Sequence, residues 1–417
     1  MLDIKFIRSN PEIVKKCVQA KGEKSDIAEL LKCDAEHREL LHQFEEKKSM
    51  QNSVSQKIGE YKRDGKDATD ILSGMQELSR EIKEIKSRTD EAYRKLNKLM
   101  LTVPNIFDKE VPVGKDEGDN KIVYEWGEKP KFNFEPLDYL ELSKELDLID
   151  FERATKIAGS GFVCYTGKGA RLERSLINFM LDFHTKHFGY KEIVPPLLVN
   201  RETMTGTGQL PKLEDDMYRV DQDDLFLIPT AEVPLTNLFR DEILDENELP
   251  QKLVAYTPCF RREAGSYGRL SKGLMRVHQF NKVELVQITK PEESEKALKE
   301  ILNNAEAILQ ELGLHYRVSL LCSGDLSFAA FKCFDIEVWA PGLGRYLEVS
   351  SCSNFLDFQA RRANIRYRKN EDGKVNFVHT LNGSGLATPR TLIAIIESFQ
   401  DKNKSINLPD CIKKYFS

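Results

Sequence analysis

Nine residues between Ile71 and Leu99 dictate more about the shape of this chain than any other stretch. Ile71, Met75, Leu78, Ile82, Ile85, Thr89, Ala92, Leu96 and Leu99 follow one another at alternating steps of four and three. That repeat keeps one seam of a helix turned toward a partner helix in a left-handed coiled coil. The preceding stretch is the natural partner: Ile27, Leu31, Leu41, Phe44, Val54, Ile58 and Tyr61 fall near the same repeat, interrupted by polar Asp34, Lys48 and Gln51. Asp64-Gly65-Lys66-Asp67 supplies the turn. The pattern predicts an antiparallel helical hairpin over residues 27–99, reaching roughly 50 Å at 1.5 Å per residue.

Pro104, Pro112, Gly114 and Gly118 then break the heptads. They predict a linker over 104–120 between an N-terminal domain (1–103) and a second domain (121–417), and 417 residues with 40% hydrophobic content are enough for two cores. Past Lys121, helical stretches (172–188, 292–312) mix with short apolar strands (225–228, 334–339, 345–349). This is an α+β pattern rather than strict βαβ alternation. No apolar run approaches the ~18 residues of a membrane span, and the opening Met-Leu-Asp-Ile-Lys lacks the regions of a signal peptide. A cytoplasmic protein without membrane contact is expected.

The eight cysteines are scattered with no Cys-x-x-Cys, which predicts free thiols and no structural zinc. His184 and His187 share a helix face without a carboxylate to complete a metal set, so core or solvent positions are expected for them. A formal net charge of −5 does not itself suggest a nucleic-acid partner, although phosphate binding depends on local charge.

Two arginine-bearing segments carry the chemistry. Phe260-Arg261-Arg262-Glu263 precedes an apolar stretch (Val277, Phe280, Val283, Leu285) and reads as strand, loop and return strand. Gly385-Leu386-Ala387-Thr388-Pro389-Arg390 opens an apolar helix from Leu392 to Phe399. A forked, permanently charged guanidinium suits phosphate oxygens. Either segment alone is most simply a surface ion pair; the two in this order are much rarer and together suit a nucleoside triphosphate.

These segments resemble motifs 2 and 3 of class II aminoacyl-tRNA synthetases, and Gly189-Tyr190-Lys191-Glu192-Ile193-Val194-Pro195-Pro196-Leu197-Leu198 resembles motif 1. Gly206-Thr207-Gly208-Gln209-Leu210-Pro211-Lys212, Thr230-Ala231-Glu232, Glu348-Val349-Ser350-Ser351-Cys352-Ser353-Asn354 and Leu381-Asn382-Gly383-Ser384-Gly385 narrow the resemblance to the bacterial-type seryl-tRNA synthetases, over nearly the whole chain. The resemblance implies an antiparallel sheet flanked by helices, ATP with Mg²⁺, and L-serine as the activated amino acid. Arg261 would take the α-phosphate and the serine carboxylate, and Arg390 the far end of the triphosphate. Glu263 would meet the adenine amino group and Phe280 would stack on the purine, although a core phenylalanine is an equal reading of the latter. Arg262, Val349 and Ser350 complete the implied ATP set, with Glu348 and Ser351 as the Mg²⁺ pair. Thr230, Ala231 and Glu232 match the serine loop, while Glu284 and Ser384 would read the serine hydroxyl. Two positions depart from the pattern: Arg262 replaces a small residue, and Leu347 stands where the family is often polar.

Leu40 to Met100 holds 13 Lys/Arg against 11 Asp/Glu, a small excess that a solvated coiled coil would carry anyway. The resemblance makes this hairpin the holder of tRNA(Ser), and of tRNA(Sec) where that exists. Lys47, Lys48, Lys57, Lys62, Arg63, Lys83, Lys86 and Arg88 become candidate phosphate contacts that position RNA without reading sequence. Motif 1 implies a symmetric homodimer. Two other readings stay open: a synthetase-like ligase acting on a carrier protein, and a non-catalytic coiled-coil scaffold.

Overall fold

The computed structural model describes residues 1–65, 67, 69–263 and 273–416. The chain forms two compact units, Leu2–Pro104 and Asn105–Ser417 joined by Met1.

In the first unit, short helices Ile4–Ser9 and Pro11–Ala20 precede the long helices Ile27–Arg63 and Thr69–Thr102. The Asp26 side chain accepts from Glu29 N and starts the first long helix. Lys95 bonds Glu29, Lys47 bonds Glu81 and Gln51 bonds Ser79, so numbers rise on one helix as they fall on the other. The pair is an antiparallel hairpin. All nine heptad residues of the second helix are shielded, with Ile82, Thr89, Ala92 and Leu96 fully buried.

The first helix corrects the sequence reading. Its shielded line is His37, Leu40, Phe44, Lys47, Gln51, Val54 and Ile58, while Leu41 and Tyr61 are exposed. Lys47 rather than Lys48 therefore occupies the seam, and polar Gln51 belongs to it through its bond to Ser79 Oγ at 3.0 Å. Asp34, read as an interruption, is buried and paired with Arg8 and Arg38. The expected turn holds Gly65 at φ 66°; its Lys66 lies outside the described residues.

The second unit is built on an eight-stranded sheet. In chain order its strands are β1 (Lys121–Trp126), β2 (Lys191–Glu192), β3 (Gln251–Phe260), β4 (Gln279–Thr289), β5 (Tyr316–Leu320), β6 (Lys332–Ala340), β7 (Arg345–Asn354) and β8 (His379–Ala387), arranged β1-β5-β6-β7-β8-β4-β3-β2. Every pairing is antiparallel except β2 with β3. Helices Gly167–Phe188, Ser294–Leu312 and Thr388–Ser398 extend a turn or so beyond, or start close to, their expected positions and cover one face. Leu176, Met180, Ile301, Ile308, Ile393 and Ile396 pack there against Val283, Leu285, Ile336 and Val349. Each large side chain so buried contributes about 1.5–3 kcal/mol, which fixes the sheet's orientation; its other face holds the polar residues of the site beside a second apolar cluster that includes Leu253, Val286 and Ile288.

The Pro/Gly-rich 104–120 stretch is bonded into this unit: Asn105 Nδ2 donates to Ala329 O and Phe355 O, both at 2.9 Å. At the sheet's edge β1 is exposed along its whole length, including Ile122, Val123, Tyr124 and Trp126. At the opposite edge Val194 is 88% exposed.

Candidate active site

Strand alternation explains how the second unit gathers its polar residues. Val283 and Leu285 point into the helix-covered core, so Phe280, Lys282 and Glu284 share the other face of β4. Phe280 is therefore out of phase with the apolar residues it was grouped with. A cavity of about 410 Å³ opens over this face, within the usual range for a small-molecule pocket. Arg261, Glu263, Phe280, Glu348, Val349, Ser351, Thr230, Glu232, Ser384 and Arg390 all line it.

Four sequence-predicted residues do not line it. Ala231 is fully buried among Leu235, Ala255 and Val286. Ser350 is also buried, and its hydroxyl donates to Ser384 O at 2.6 Å. Arg262 is exposed, its backbone N–H bonded to Asp216 O at 3.0 Å. Glu284 is wholly buried and touches the cavity only through its neighbours. Leu347 is buried in the apolar core, which accounts for its apolar character.

Those neighbours form one network. Asn382 Nδ2 donates to Glu284 Oε1 at 2.8 Å and to Glu232 Oε2 at 3.1 Å. Lys282 Nζ donates to Thr230 Oγ1 at 2.9 Å and lies 2.5 Å from Glu284 Oε2. Gln359 Nε2 donates to Glu232 Oε1 at 2.6 Å. Two carboxylates fix which end of Asn382 is the donor, and its Oδ1 is left without a partner among the described residues. Burial raises Glu232 to about 7, with the charge of Glu284 adding to the shift and Gln359, Lys282 and Arg261 opposing it.

The arginines are held by other contacts. The Arg261 backbone is bracketed by His278, whose O accepts from Arg261 N at 2.9 Å and whose Nδ1 is 3.0 Å from Arg261 O. Its guanidinium lies 5.2 Å from the Phe280 ring centre and its Nε bonds Pro229 O at 3.4 Å. Glu263 is in the left-handed region at φ 51° and pairs with Arg276 at 3.1 Å. Such a backbone in a non-glycine residue costs free energy and is held where the site needs it. Arg390 Nη1 donates to Glu348 O at 2.9 Å and lies 3.3 Å from Glu348 Oε2, while its Nε bonds Met275 O at 3.3 Å.

Two β-bulges shape the strands here. The β6–β7 register shifts opposite Val349, and an extra residue lets Glu348 and Ser351 share a face three positions apart. Ser351 Oγ donates to Glu348 Oε1 at 3.2 Å. The β8–β4 register shifts at Gly385, where a Cβ would fall 2.5 Å from His184 Nε2. His184 is a core residue bonded to Gly385 O at 3.1 Å, and His187 is exposed.

Sequence reasoning missed Lys282, Asn382, Gln359, Arg276 and His278. Lys282 had a signal, since Lys and Glu two apart in an otherwise apolar strand must share a face. Gln359 had none, because it arrives on the short helix Phe358–Ala363 from a distant part of the chain.

A largely antiparallel sheet with these arginines on its open face defines a class II aminoacyl-tRNA synthetase core, and residues 215–399 match the tRNA synthetase class II core domain (G, H, P, S and T). Residues 1–107 match the seryl-tRNA synthetase N-terminal domain. The chain is 51% identical to the serine--tRNA ligases of Thermodesulfovibrio yellowstonii and Clostridium tetani, covering 100% of itself and 98% of each relative. The seryl-tRNA synthetase of Pyrococcus horikoshii complexed with ATP superposes with a TM-score of 0.93 at 38% identity, over 100% of this chain and 98% of that one. The Naegleria fowleri cytoplasmic serine-tRNA ligase in complex with AMP gives 0.87 at 28% identity, over 100% and 97%. The chain belongs to the seryl-tRNA synthetase family.

Proposed function

We propose that this chain is a serine--tRNA ligase, activating L-serine with ATP and passing the seryl group to tRNA(Ser). The observation that carries the reading is one cavity lined both by Arg261 and Arg390 and by the acceptors Glu232, Asn382 and Ser384. In the first step a serine carboxylate oxygen attacks the α-phosphorus and pyrophosphate leaves. In the second, a hydroxyl of the terminal ribose attacks the seryl carbonyl and AMP leaves. Catalysis here is mostly positioning and charge stabilisation.

Arg261 stabilises the charge on the α-phosphoryl oxygens; neither of its Nη atoms has a hydrogen-bond partner among the described residues. Arg390 takes the far phosphates, Phe280 the purine face and Glu263 the adenine amino group. Glu232 receives the serine ammonium, and Thr230, whose hydroxyl accepts from Lys282 Nζ and Glu232 N, holds that loop in place. Ser384 reads the hydroxyl at the cavity wall, with Asn382 and Glu284 acting beneath it through the bond from Asn382 Nδ2 to Glu284 Oε1. Alanine, lacking the hydroxyl, would leave such buried groups unpaired and be rejected.

Mg²⁺ bound to ATP typically needs only one or two protein carboxylates beside phosphates and water, and the Glu348–Ser351 pair at 3.2 Å suits that role. Bound there it would neutralise phosphate charge.

The helical hairpin takes the tRNA. Lys48, Lys57, Lys62, Arg63, Lys83, Lys86 and Arg88 are exposed and suit phosphate, whereas Lys47 is partly shielded. Likeness to the family makes tRNA(Sec) a second substrate and the cytoplasm the place of action. Among the described residues, no helix is long and apolar enough to cross a membrane. A homodimer is supported by the exposed apolar edge strand β1 and by exposed Val194 within the motif 1 segment, since uncovered edges invite pairing.

The test is serine-dependent ATP–pyrophosphate exchange, with threonine, alanine and glycine as competitors. Exchange with serine alone is expected; exchange with another amino acid would overturn the roles of Asn382 and Ser384. Neither a carrier-protein ligase nor a scaffold is supported by the relatives.

A further inference from the structure

Three elements meet at one buried carboxylate that the proposed reaction does not use. Glu173, 5% exposed, sits on helix Gly167–Phe188. Its Oε1 accepts from Thr388 Oγ1 at 2.6 Å and from Asn281 Nδ2 at 2.8 Å. The Thr388 hydroxyl also lies 3.0 Å from Asn281 O. Tyr256 Oη donates to Asn281 Oδ1 at 3.2 Å, which fixes the amide so that its nitrogen faces Glu173.

The positions of these partners matter. Thr388 opens helix Thr388–Ser398 two residues before Arg390. Asn281 lies on β4 between Phe280 and Lys282. By strand alternation it points away from the cavity face, so Glu173 holds β4 from behind. Glu173 Oε2 has no partner among the described residues, and burial pushes the carboxyl up to about 7 against the two bonds it accepts. Burying a carboxyl in this way costs free energy that an apolar residue of the same size would not, so packing alone does not explain it.

We propose that Glu173 is a positioning residue: it ties the start of the Arg390 helix to the strand bearing Phe280, and so sets the span over which ATP is held. This rests on the reading of Arg390 and Phe280 as ATP contacts. The serine-binding network also takes Lys282 and Glu284 from β4, but Thr230, Glu232 and Asn382 are fixed by bonds with Lys282, Gln359 and Glu284, none of them made to Glu173. Loss of Glu173 should therefore fall on one substrate.

Steady-state exchange kinetics on the full chain test this. Glu173→Ala is expected to raise KM for ATP by about tenfold, because small misplacements of binding groups are costly, with KM for serine changed less than about twofold. Glu173→Gln, which keeps the accepting oxygen, should restore KM for ATP. Thr388→Val removes the donor without emptying the site and should reproduce the split, which keeps the test open if Glu173→Ala does not fold. KM values rising together, a fall in thermal stability alone, or Gln no better than Ala would overturn the proposal. Absence of serine-dependent exchange in the unaltered protein would instead overturn the underlying function.

Discussion

The hairpin and the catalytic unit store their structure in different parts of the sequence. In the hairpin, Ile82, Thr89, Ala92 and Leu96 are buried at heptad spacing, and each turn repeats the rule of the one before. In the catalytic unit, Glu232 bonds Gln359 and Asn382, which lie 127 and 150 residues away. A repeated local rule discloses shape while saying little about a ligand, because any solvated coiled coil obeys it. A constellation drawn from distant segments hides its geometry, yet its unusual residue choices disclose its chemistry.

Removing chemistry without touching shape is the strongest way to break that contrast. Arg390→Ala should lower serine-dependent exchange by about 10² to 10³, the usual result of deleting a donor to transition-state charge. tRNA binding, measured by filter retention, should stay intact; exchange near the unaltered rate would remove Arg390 from its assigned role. The converse change is deletion of about Ala35 to Lys95. Exchange should then survive within about twofold while aminoacylation of tRNA(Ser) falls by about a hundredfold or more, since phosphate contacts supply much of RNA affinity. Normal charging by the shortened chain would mean that the hairpin does not hold the RNA.

Both units were partly legible before the structure, for different reasons. The second arm helix is legible because its seam is apolar except at Thr89, whose hydroxyl bonds Ile85 O within the helix. The first is read rightly at Ile27, Leu31, Phe44, Val54 and Ile58 and wrongly at Leu41 and Tyr61, because its seam also admits His37, Lys47 and Gln51, whose polar ends bond across to the partner helix or reach its edge. Family likeness identified Arg261, Glu232, Ser384 and Arg390, and all line the cavity. It could not say that Glu284 and Ser350 are covered by Asn382 and Ser384, because depth below a surface depends on register. The bulges at Val349 and Gly385 shift that register by one residue and leave no local mark at Val349.

A smaller effect separates the units by pH. Burial raises Glu232 to about 7. Below that pH the folded protein holds the group protonated, and a protonated carboxyl is a poor acceptor for an ammonium. Serine binding should therefore strengthen as pH rises through about 7, with KM for serine roughly tenfold lower at pH 8 than one unit below the raised value. Glu232 lies in the catalytic unit and not on the hairpin, so KM for tRNA should stay flat. Glu232→Gln should abolish the serine dependence, and a slope surviving in that variant would assign the titration to another group.

The smallest expected effect decides what Lys47 does. Sequence made it a phosphate contact, whereas the fold pairs its Nζ with Glu81 Oε2 at 2.5 Å across the hairpin. Both side chains are more than a third exposed, at 35% and 47%, so the pair is worth only about 0.2–1 kcal/mol. Glu81→Gln separates the roles because it releases Lys47 without removing it. If Lys47 is a strut, the arm loses that small stability, visible as a slightly lower melting temperature, and tRNA affinity is unchanged. If it also reaches phosphate, the freed ammonium should tighten tRNA binding by about twofold and steepen the salt dependence by up to about one counterion. The shielded seam position favours the strut, and an unchanged salt slope is the expected outcome.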